Sequence, residues 1–166
     1  MSPNLFSTVA ESPHGALTIV ASDAGVRAIL WPDDDPKRVR VTAAIDDPTH
    51  PVVAAAAAQL AEYFAGERTE FDVSVDPVGT DFQRSAWDAL RTIPYGTTVS
   101  YGEQAERMGD RRKARAVGAA NGRNPISIIV PCHRVVGANG ALTGFAGGVD
   151  TKAWLLDHEQ RMTSRG

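Results

Sequence analysis

Apolar residues alternate with polar or small ones from Leu5 to Val9 and again from Leu17 to Ala21, the two-residue period of half-buried strands. Between them Ser12-Pro13-His14-Gly15 carries turn chemistry, so the pair predicts a hairpin. Val26 to Trp31 predicts a third short strand, ended by the acidic, proline-bounded segment Pro32 to Pro36. A small antiparallel sheet follows from this pattern. From Pro51 to Ala65 the period changes to helical spacing, with Leu60, Tyr63 and Phe64 in an Ala-rich run that Gly66 stops as a C-terminal cap. This helix gives the sheet a partner to cover it. Phe71 to Val75 predicts one more strand, and Asp76-Pro77-Val78-Gly79 has the composition of a linker.

Beyond that linker the pattern is mainly helical. Thr80 or Asp81 can cap a helix whose apolar positions Phe82, Ala86, Trp87, Leu90 and Ile93 fall at three- and four-residue steps, ending at Pro94-Tyr95-Gly96. A second helix is predicted from Tyr101 to Met108, closed by Gly109, and a third from Lys113 to Asn121. Two short helices joined by a tight glycine-containing turn resemble a helix-turn-helix. Ile126 to Val130 is an uncharged apolar run, expected to be buried, that delivers the chain to Pro131-Cys132-His133-Arg134. A Gly-rich loop from Gly137 to Gly148 precedes a last helix, Thr151 to Gln160, with Trp154, Leu155 and His158 on one side. The expected class is α+β, with an N-terminal α/β domain at 1–76, a linker at 77–79 and a C-terminal domain at 80–166.

With 166 residues, 43% of them hydrophobic, the chain can bury a sizeable core. The small-apolar run Val52 to Ala58 is far too short to span a bilayer, and no basic-then-apolar leader opens the sequence, so a cytoplasmic protein without membrane contact is expected. One cysteine cannot form an internal disulfide, which suits a reducing compartment. The net charge of −3 hides an asymmetry. Residues 1–79 hold 5 Lys/Arg against 12 Asp/Glu, whereas residues 80–166 hold 12 against 8. Within Gln104 to Pro125, Arg107, Arg111, Arg112, Lys113, Arg115 and Arg123 face only Glu106 and Asp110. That segment can meet phosphate, although a solvated Arg-rich helix face has the same composition.

A single cysteine is ordinarily a small buried apolar residue. Cys132 has a different setting, between Pro131 and His133-Arg134 after a buried run. A thiol becomes a nucleophile as thiolate, which needs a base or a positive field beside it, and a His followed by an Arg offers both. On a strand, neighbours point to opposite faces, so His133 reaches the sulfur directly only in a turn, or through a bridging water; the water is the expected route. To act as a base His133 must be held in one tautomer. A carboxylate does this, and Asp150, Asp157 and Glu159 are the downstream candidates.

Pro131-Cys132-His133-Arg134-Val135 resembles the active-site motif of the O6-alkylguanine-DNA alkyltransferases. So, in order and with compatible spacing, do Phe82-Gln83-Arg84-Ser85-Ala86-Trp87, Ile93-Pro94-Tyr95-Gly96, Val99-Ser100-Tyr101-Gly102, Ala114-Arg115-Ala116-Val117-Gly118, Asn124-Pro125 and the Lys152 to Glu159 helix. The resemblance covers about Thr80 to Glu159; before it only Tyr63-Phe64-Ala65-Gly66 and the order of elements are similar. It implies a ribonuclease-H-like N-terminal domain and a winged helix-turn-helix in the C-terminal one. It implies direct-reversal repair: Cys132 accepts the alkyl group from O6-alkylguanine, or from O4-alkylthymine, in double-stranded DNA, in one turnover. Under it His133 takes the thiol proton through water, Glu159 orients His133, Asn124 holds the turn before the active-site strand, and Tyr101 bonds N3 of the flipped guanine and protonates the leaving base. Arg115 fills the vacated stack from the minor groove, with Ala114, Ala116, Gly118, Tyr101 and Arg134 also at the DNA. Val135, Phe145, Ala146, Gly147 and Trp87 form the substrate pocket. Phe145 and Ala146 depart from the family's common Tyr and Ser, removing side-chain hydroxyls from the O6 side. One cysteine and four scattered histidines cannot build a Cys-rich zinc site, so neither metal nor cofactor is expected, and the protein is expected to be a monomer in solution.

Two other functions use parts of the same pattern. A binding module that recognises alkylated DNA without reacting would not need Cys132. A cysteine hydrolase built on Cys132, His133 and Glu159 would leave Arg115 and the basic segment without a role.

Overall fold

The computed structural model describes residues 4–41 and 43–165. The chain divides between Val78 and Gly79 into two compact units. In the first, β1 (Phe6–Ser12), β2 (Gly15–Ser22) and β3 (Gly25–Leu30) form an antiparallel meander. The first turn closes on the pair Ser12 and Gly15, where Ser12 Oγ donates to the Gly15 carbonyl and Gly15 takes φ 98°, a conformation that favours glycine. β4 (Ile45–Asp46) adds to β1 in parallel, giving the order β3-β2-β1-β4.

Burial follows the two periods. Leu17, Ile19 and Ala21 of β2 are fully buried, and α1 (Pro51–Phe64) buries Val53, Ala56, Leu60 and Tyr63 at helical steps. Sealing side chains such as Leu60 contributes about 1.5–3 kcal/mol each. Val20, on the opposite face of β2, joins Leu5 and Ala28 in a second cluster, covered by Leu30, Val39, Val41 and Ala44.

The expected strand at 71–75 is replaced by a single parallel bridge between Val26 and Val75. Its backbone is satisfied differently. Gln59 of α1 accepts from the Asp72 and Val73 N–H groups, while Val26 N–H donates to Ser74 and Asp76 N–H to Val26. The approach at Gly25 is so close that a β-carbon would sit 2.7 Å from the Ser74 oxygen.

In the second unit α2 (Asp81–Leu90) starts at Thr80, whose side chain accepts from Gln83 N–H while Gln83 returns a bond to Thr80 N–H. The helix ends before Ile93 because Arg91, Thr92 and Ile93 bond three residues back, a tightened last turn ahead of Pro94. β5 (Val99–Ser100) leads into α3 (Tyr101–Arg107), and a 3-10 turn at Arg111–Lys113 leads into α4 (Ala114–Gly122). A second 3-10 turn at Cys132–Arg134 runs into β6 (Val135–Val136), which pairs in parallel with β5. α5 (Val149–Arg165) extends beyond both predicted ends.

Three helices are stitched by buried polar side chains. Trp87 Nε1 donates to the Ala120 carbonyl at 2.9 Å, and Gln104 and Asn121 exchange hydrogen bonds at 2.8 and 3.2 Å. Gln104 also donates to the Ala86 carbonyl. α2, α3 and α4 are thereby held in one arrangement. No helix among the described residues is long and apolar enough to cross a membrane.

Candidate active site

The path to Cys132 is a run of tight turns. Asn124 donates from Nδ2 to the Val130 carbonyl at 2.8 Å and accepts the Ile126 N–H at 3.0 Å, closing a buried loop. Inside it Ile128 takes φ 73°, and Ile129 N–H bonds to the Ser127 carbonyl at 2.9 Å, which makes a γ-turn of the rare positive-φ kind. A β-branched residue resists this conformation, so the Asn124 clamp and the full burial of Ile126 and Ile128 hold it. Pro131, at φ −83° and ψ 67°, forms the commoner inverse γ-turn, with Cys132 N–H on the Val130 carbonyl. Cys132 then opens a 3-10 turn rather than a strand.

The turn leaves Cys132 half-buried and draws His133 and Arg134 inward. His133 is completely buried and its Nε2 lies 2.7 Å from Glu159 Oε2. Its Nδ1 is buried and meets no hydrogen-bond partner among the described residues. Of the three candidate carboxylates, only Glu159 meets the imidazole; Asp150 and Asp157 are exposed. Glu159 also accepts Arg134 Nε at 2.9 Å, Arg134 Nη2 at 3.1 Å and Gly96 N–H at 3.2 Å. Arg134 Nη1 donates to the Ile93 carbonyl at 2.7 Å, and its guanidinium lies over the Tyr95 ring.

Burial would raise Glu159, but bonds and charges from His133 and Arg134 overcome it and hold the carboxyl far below the usual carboxylate range. Burial pushes His133 down, helped by Arg134 and Lys152 and opposed by Glu159, so its ring is neutral at pH 7. Burial lowers Lys152 while Cys132 opposes that shift. Burial also raises the Tyr95 phenol, as does Glu159. A neutral His133 that donates Nε2–H to Glu159 presents Nδ1 as a lone-pair base.

Tyr101 is the first residue of α3, set there by the Ser100/Glu103 capping box. Its hydroxyl bonds Thr143 Oγ1 in the 137–148 loop, and its ring packs 3.6 Å from where a β-carbon on Gly118 would stand. On α4, Arg115 and Ala116 are exposed, while Ala114 and Gly118 are half-buried. Arg111 pairs with Glu106 at 2.6 Å and Arg112 with Asp110 at 3.0 Å, so part of the basic segment is neutralised locally. Such exposed pairs are weak, and phosphate can displace them.

Two expectations need correction. Arg134 was expected at the DNA, but its side chain is buried and both edges are engaged by Glu159 and Ile93, because it neutralises a buried carboxylate. Trp87 was expected in the substrate pocket, yet it is 3% exposed and ties α2 to α4. Val135 is fully buried and reaches neighbours through its backbone, donating N–H to the Cys132 carbonyl. Phe145, Ala146 and Gly147 are half-buried in a turn closed by Gly148 N–H on the Phe145 carbonyl. Lys152 and Thr143 were not singled out from the sequence. Lys152 had a signal: it shares one helical series with Leu155 and Glu159, a cation on the buried face of α5.

A half-buried cysteine next in sequence to a buried His-Glu pair, in the unit that also carries the basic turn Arg111–Lys113 between α3 and α4, has the parts of a thiol nucleophile with its own base. Comparison with known proteins gives the family. Residues 5–77 match the model "6-O-methylguanine DNA methyltransferase, ribonuclease-like domain" and residues 81–161 its "DNA binding domain". The Mycobacterium leprae methylated-DNA–protein-cysteine methyltransferase is 57% identical over 152 residues, 90% of this chain and 89% of that protein. The protein of that name from Methanosarcina acetivorans is 44% identical, over 93% and 98%. A crystal structure of Mycobacterium tuberculosis OGT in complex with DNA matches with a TM-score of 0.85 and 46% identity, covering 96% of this chain and 94% of that one. This chain belongs to the methylated-DNA–protein-cysteine methyltransferase family.

Proposed function

We propose that this chain repairs alkylated double-stranded DNA by taking the alkyl group from O6 of guanine onto Cys132 Sγ, once per molecule. The observation that carries this reading is the His133 geometry: one ring nitrogen fixed on Glu159, the other left as a buried base next in sequence to the cysteine. His133 Nδ1 accepts the thiol proton through a bridging water. The thiolate attacks the sp³ alkyl carbon, the S–C bond forms as the C–O6 bond breaks, and the electron pair passes to the guanine. Tyr101 bonds N3 of that base and supplies its proton. The product is a thioether, which offers water no carbonyl to attack, so the enzyme is spent.

Access requires the base to leave the stack. Arg115, exposed early in α4 among small residues, enters from the minor groove and fills the gap, with Ala114, Ala116 and Gly118 permitting close approach. The M. tuberculosis relative crystallised with DNA supports DNA as the partner. Backbone groups at Val135 and along Phe145 to Gly147 read the guanine edge; O4-alkylthymine offers the same alkyl-oxygen bond. The protein acts as a monomer without a metal, in the cytoplasm, where its single thiol stays reduced. Titration with excess O6-methylguanine duplex tests the reaction class: loss of methyl groups from DNA stops at one equivalent per protein. Continued turnover would mean a hydrolase and would refute the reading.

A further inference from the structure

The helices place the ring of Tyr101 and leave its hydroxyl to another residue. The ring starts from the capped first turn of α3 and packs 3.6 Å from where a β-carbon on Gly118 of α4 would stand. Its hydroxyl lies at the far end and shares a hydrogen bond with Thr143 Oγ1, 42 residues away in sequence. Thr143 is itself held from behind, its carbonyl accepting the buried Lys152 ammonium at 3.5 Å. Tight turns bracket it on either side, with Gly140 N–H on the Gly137 carbonyl at 2.8 Å and Gly148 N–H on the Phe145 carbonyl at 2.9 Å. A β-branched side chain is stiff, so a threonine anchored by its backbone presents its hydroxyl in a set direction.

A hydroxyl donates once and accepts twice, and either of these two can supply the hydrogen they share. When Tyr101 turns its hydrogen to N3 of a guanine, its oxygen still accepts from Thr143, so the two bonds do not compete. As the proton passes to the base, negative charge develops on the phenolic oxygen, and a donor already aimed there stabilises it. We propose that Thr143 is a positioning residue for this proton donation: it holds the Tyr101 hydroxyl in place and donates to its oxygen as the proton leaves. The inference rests on reading Tyr101 as the donor to N3. Tyr101 gives its own proton as the C–O6 bond breaks, Thr143 keeps its hydrogen, and the phenolate takes a proton back from water. A purely mechanical role, pinning the 137–148 loop to α3, would not depend on the chemistry of the leaving group.

The test is a double-mutant cycle on the single-turnover rate of methyl transfer from saturating O6-methylguanine duplex. It uses the full chain with Thr143→Val, Thr143→Ser, Tyr101→Phe, and Thr143→Val combined with Tyr101→Phe. Thr143 is exposed and Val keeps its branched shape, so the fold tolerates the change. Thr143→Val should slow transfer about tenfold at unchanged duplex affinity, the scale of one hydrogen bond to a group gaining charge. Thr143→Ser should restore most of that rate. In the Tyr101→Phe background Thr143→Val should cost nothing further, because the hydroxyl it served is gone. Carboxamidomethylation of Cys132 by iodoacetamide, whose iodide leaves without a proton, should run at the wild-type rate in Thr143→Val. The proposal is overturned by an equal Thr143→Val loss in the Tyr101→Phe background, by Thr143→Ser as slow as Thr143→Val, or by an iodoacetamide rate that falls with transfer. Tyr101→Phe transferring at the wild-type rate would overturn the donor reading and this proposal together. A slow Tyr101→Phe beside a Thr143→Val of wild-type rate would overturn this proposal alone.

Discussion

Replacing Glu159 by Gln removes one charge and almost no volume from the centre of the active site. Four hydrogen bonds converge on that carboxylate, two from Arg134 at 2.9 and 3.1 Å, one from His133 at 2.7 Å and one from Gly96 N–H at 3.2 Å. In Glu159→Gln the Arg134 guanidinium stays buried with only the Ile93 carbonyl and a neutral amide to meet it. Breaking a buried ion pair from one side costs about 3–5 kcal/mol, because the remaining ion is uncompensated. Urea unfolding should therefore show a loss of that size at unchanged slope. Combining Glu159→Gln with Arg134→Met removes the orphaned charge, and the double variant should lose less than the sum of the singles by about 1–3 kcal/mol. The chemistry suffers separately. A Gln amide can donate to Nε2, which favours the tautomer protonated on Nδ1 and removes the base; comparable triads lose about 10⁴-fold when their carboxylate becomes an amide. Strictly additive losses, or a single-variant loss below about 1 kcal/mol, would refute the buried-network account.

Arg115, Asn124 and the two buried titrating groups each carry a further expectation. Arg115→Ala should slow repair of O6-methylguanine in duplex DNA by an amount equivalent to a few kcal/mol at most. Reaction with free O6-benzylguanine should barely change; equal losses on duplex and free base would remove the intercalating role. Asn124→Ala strands the Ile126 N–H in the interior, at about 1–3 kcal/mol, and leaves the Val130 carbonyl with the Cys132 N–H but without its bond from Asn124. Asn124→Asp keeps the acceptor and should recover part of that loss in a urea titration, so equal destabilisation by both variants would contradict the clamp. Acid should weaken the fold in two stages. Folded His133 binds its proton at lower pH than the unfolded chain does, so its contribution is lost as pH falls below about 6.5, and that of Glu159 as pH falls below about 4.3. His14 adds to the first stage in the N-terminal unit. A melting temperature constant from neutral pH to about pH 5 would contradict the assignment.

Elements with a sustained period were legible before the structure. The alternation in β1 to β3 and the helical spacing of α1 depend on side-chain burial, which sequence displays directly. β4, β5 and β6 have two residues each, too few for any period, and they exist because distant backbone meets them. Residues 71–75 look like a strand but are held by the Gln59 side chain and by one backbone bond from Val26, partners that no local pattern reveals. The positive φ of Ile128 is equally hidden, since a β-branched residue is the opposite of a turn signal. Around the active site, adjacency suggested a Cys-His pair, and the fold selected Glu159 from three carboxylates by placing it on the buried face of α5. Arg134 misled because a cation in the positively balanced half of the chain suggests phosphate, whereas its partner is Glu159, 25 residues away in sequence. Lys152 was legible only as a cation out of place on an apolar helix face.

The central claim is that Cys132 is the acceptor, and intact mass after incubation with O6-methylguanine duplex tests it most directly. The full chain should gain one methyl group, peptide mapping should place it on Cys132, and Cys132→Ser should bind the same duplex without gaining mass. A methyl group on any other residue, or its transfer to Cys132→Ser, would contradict the account.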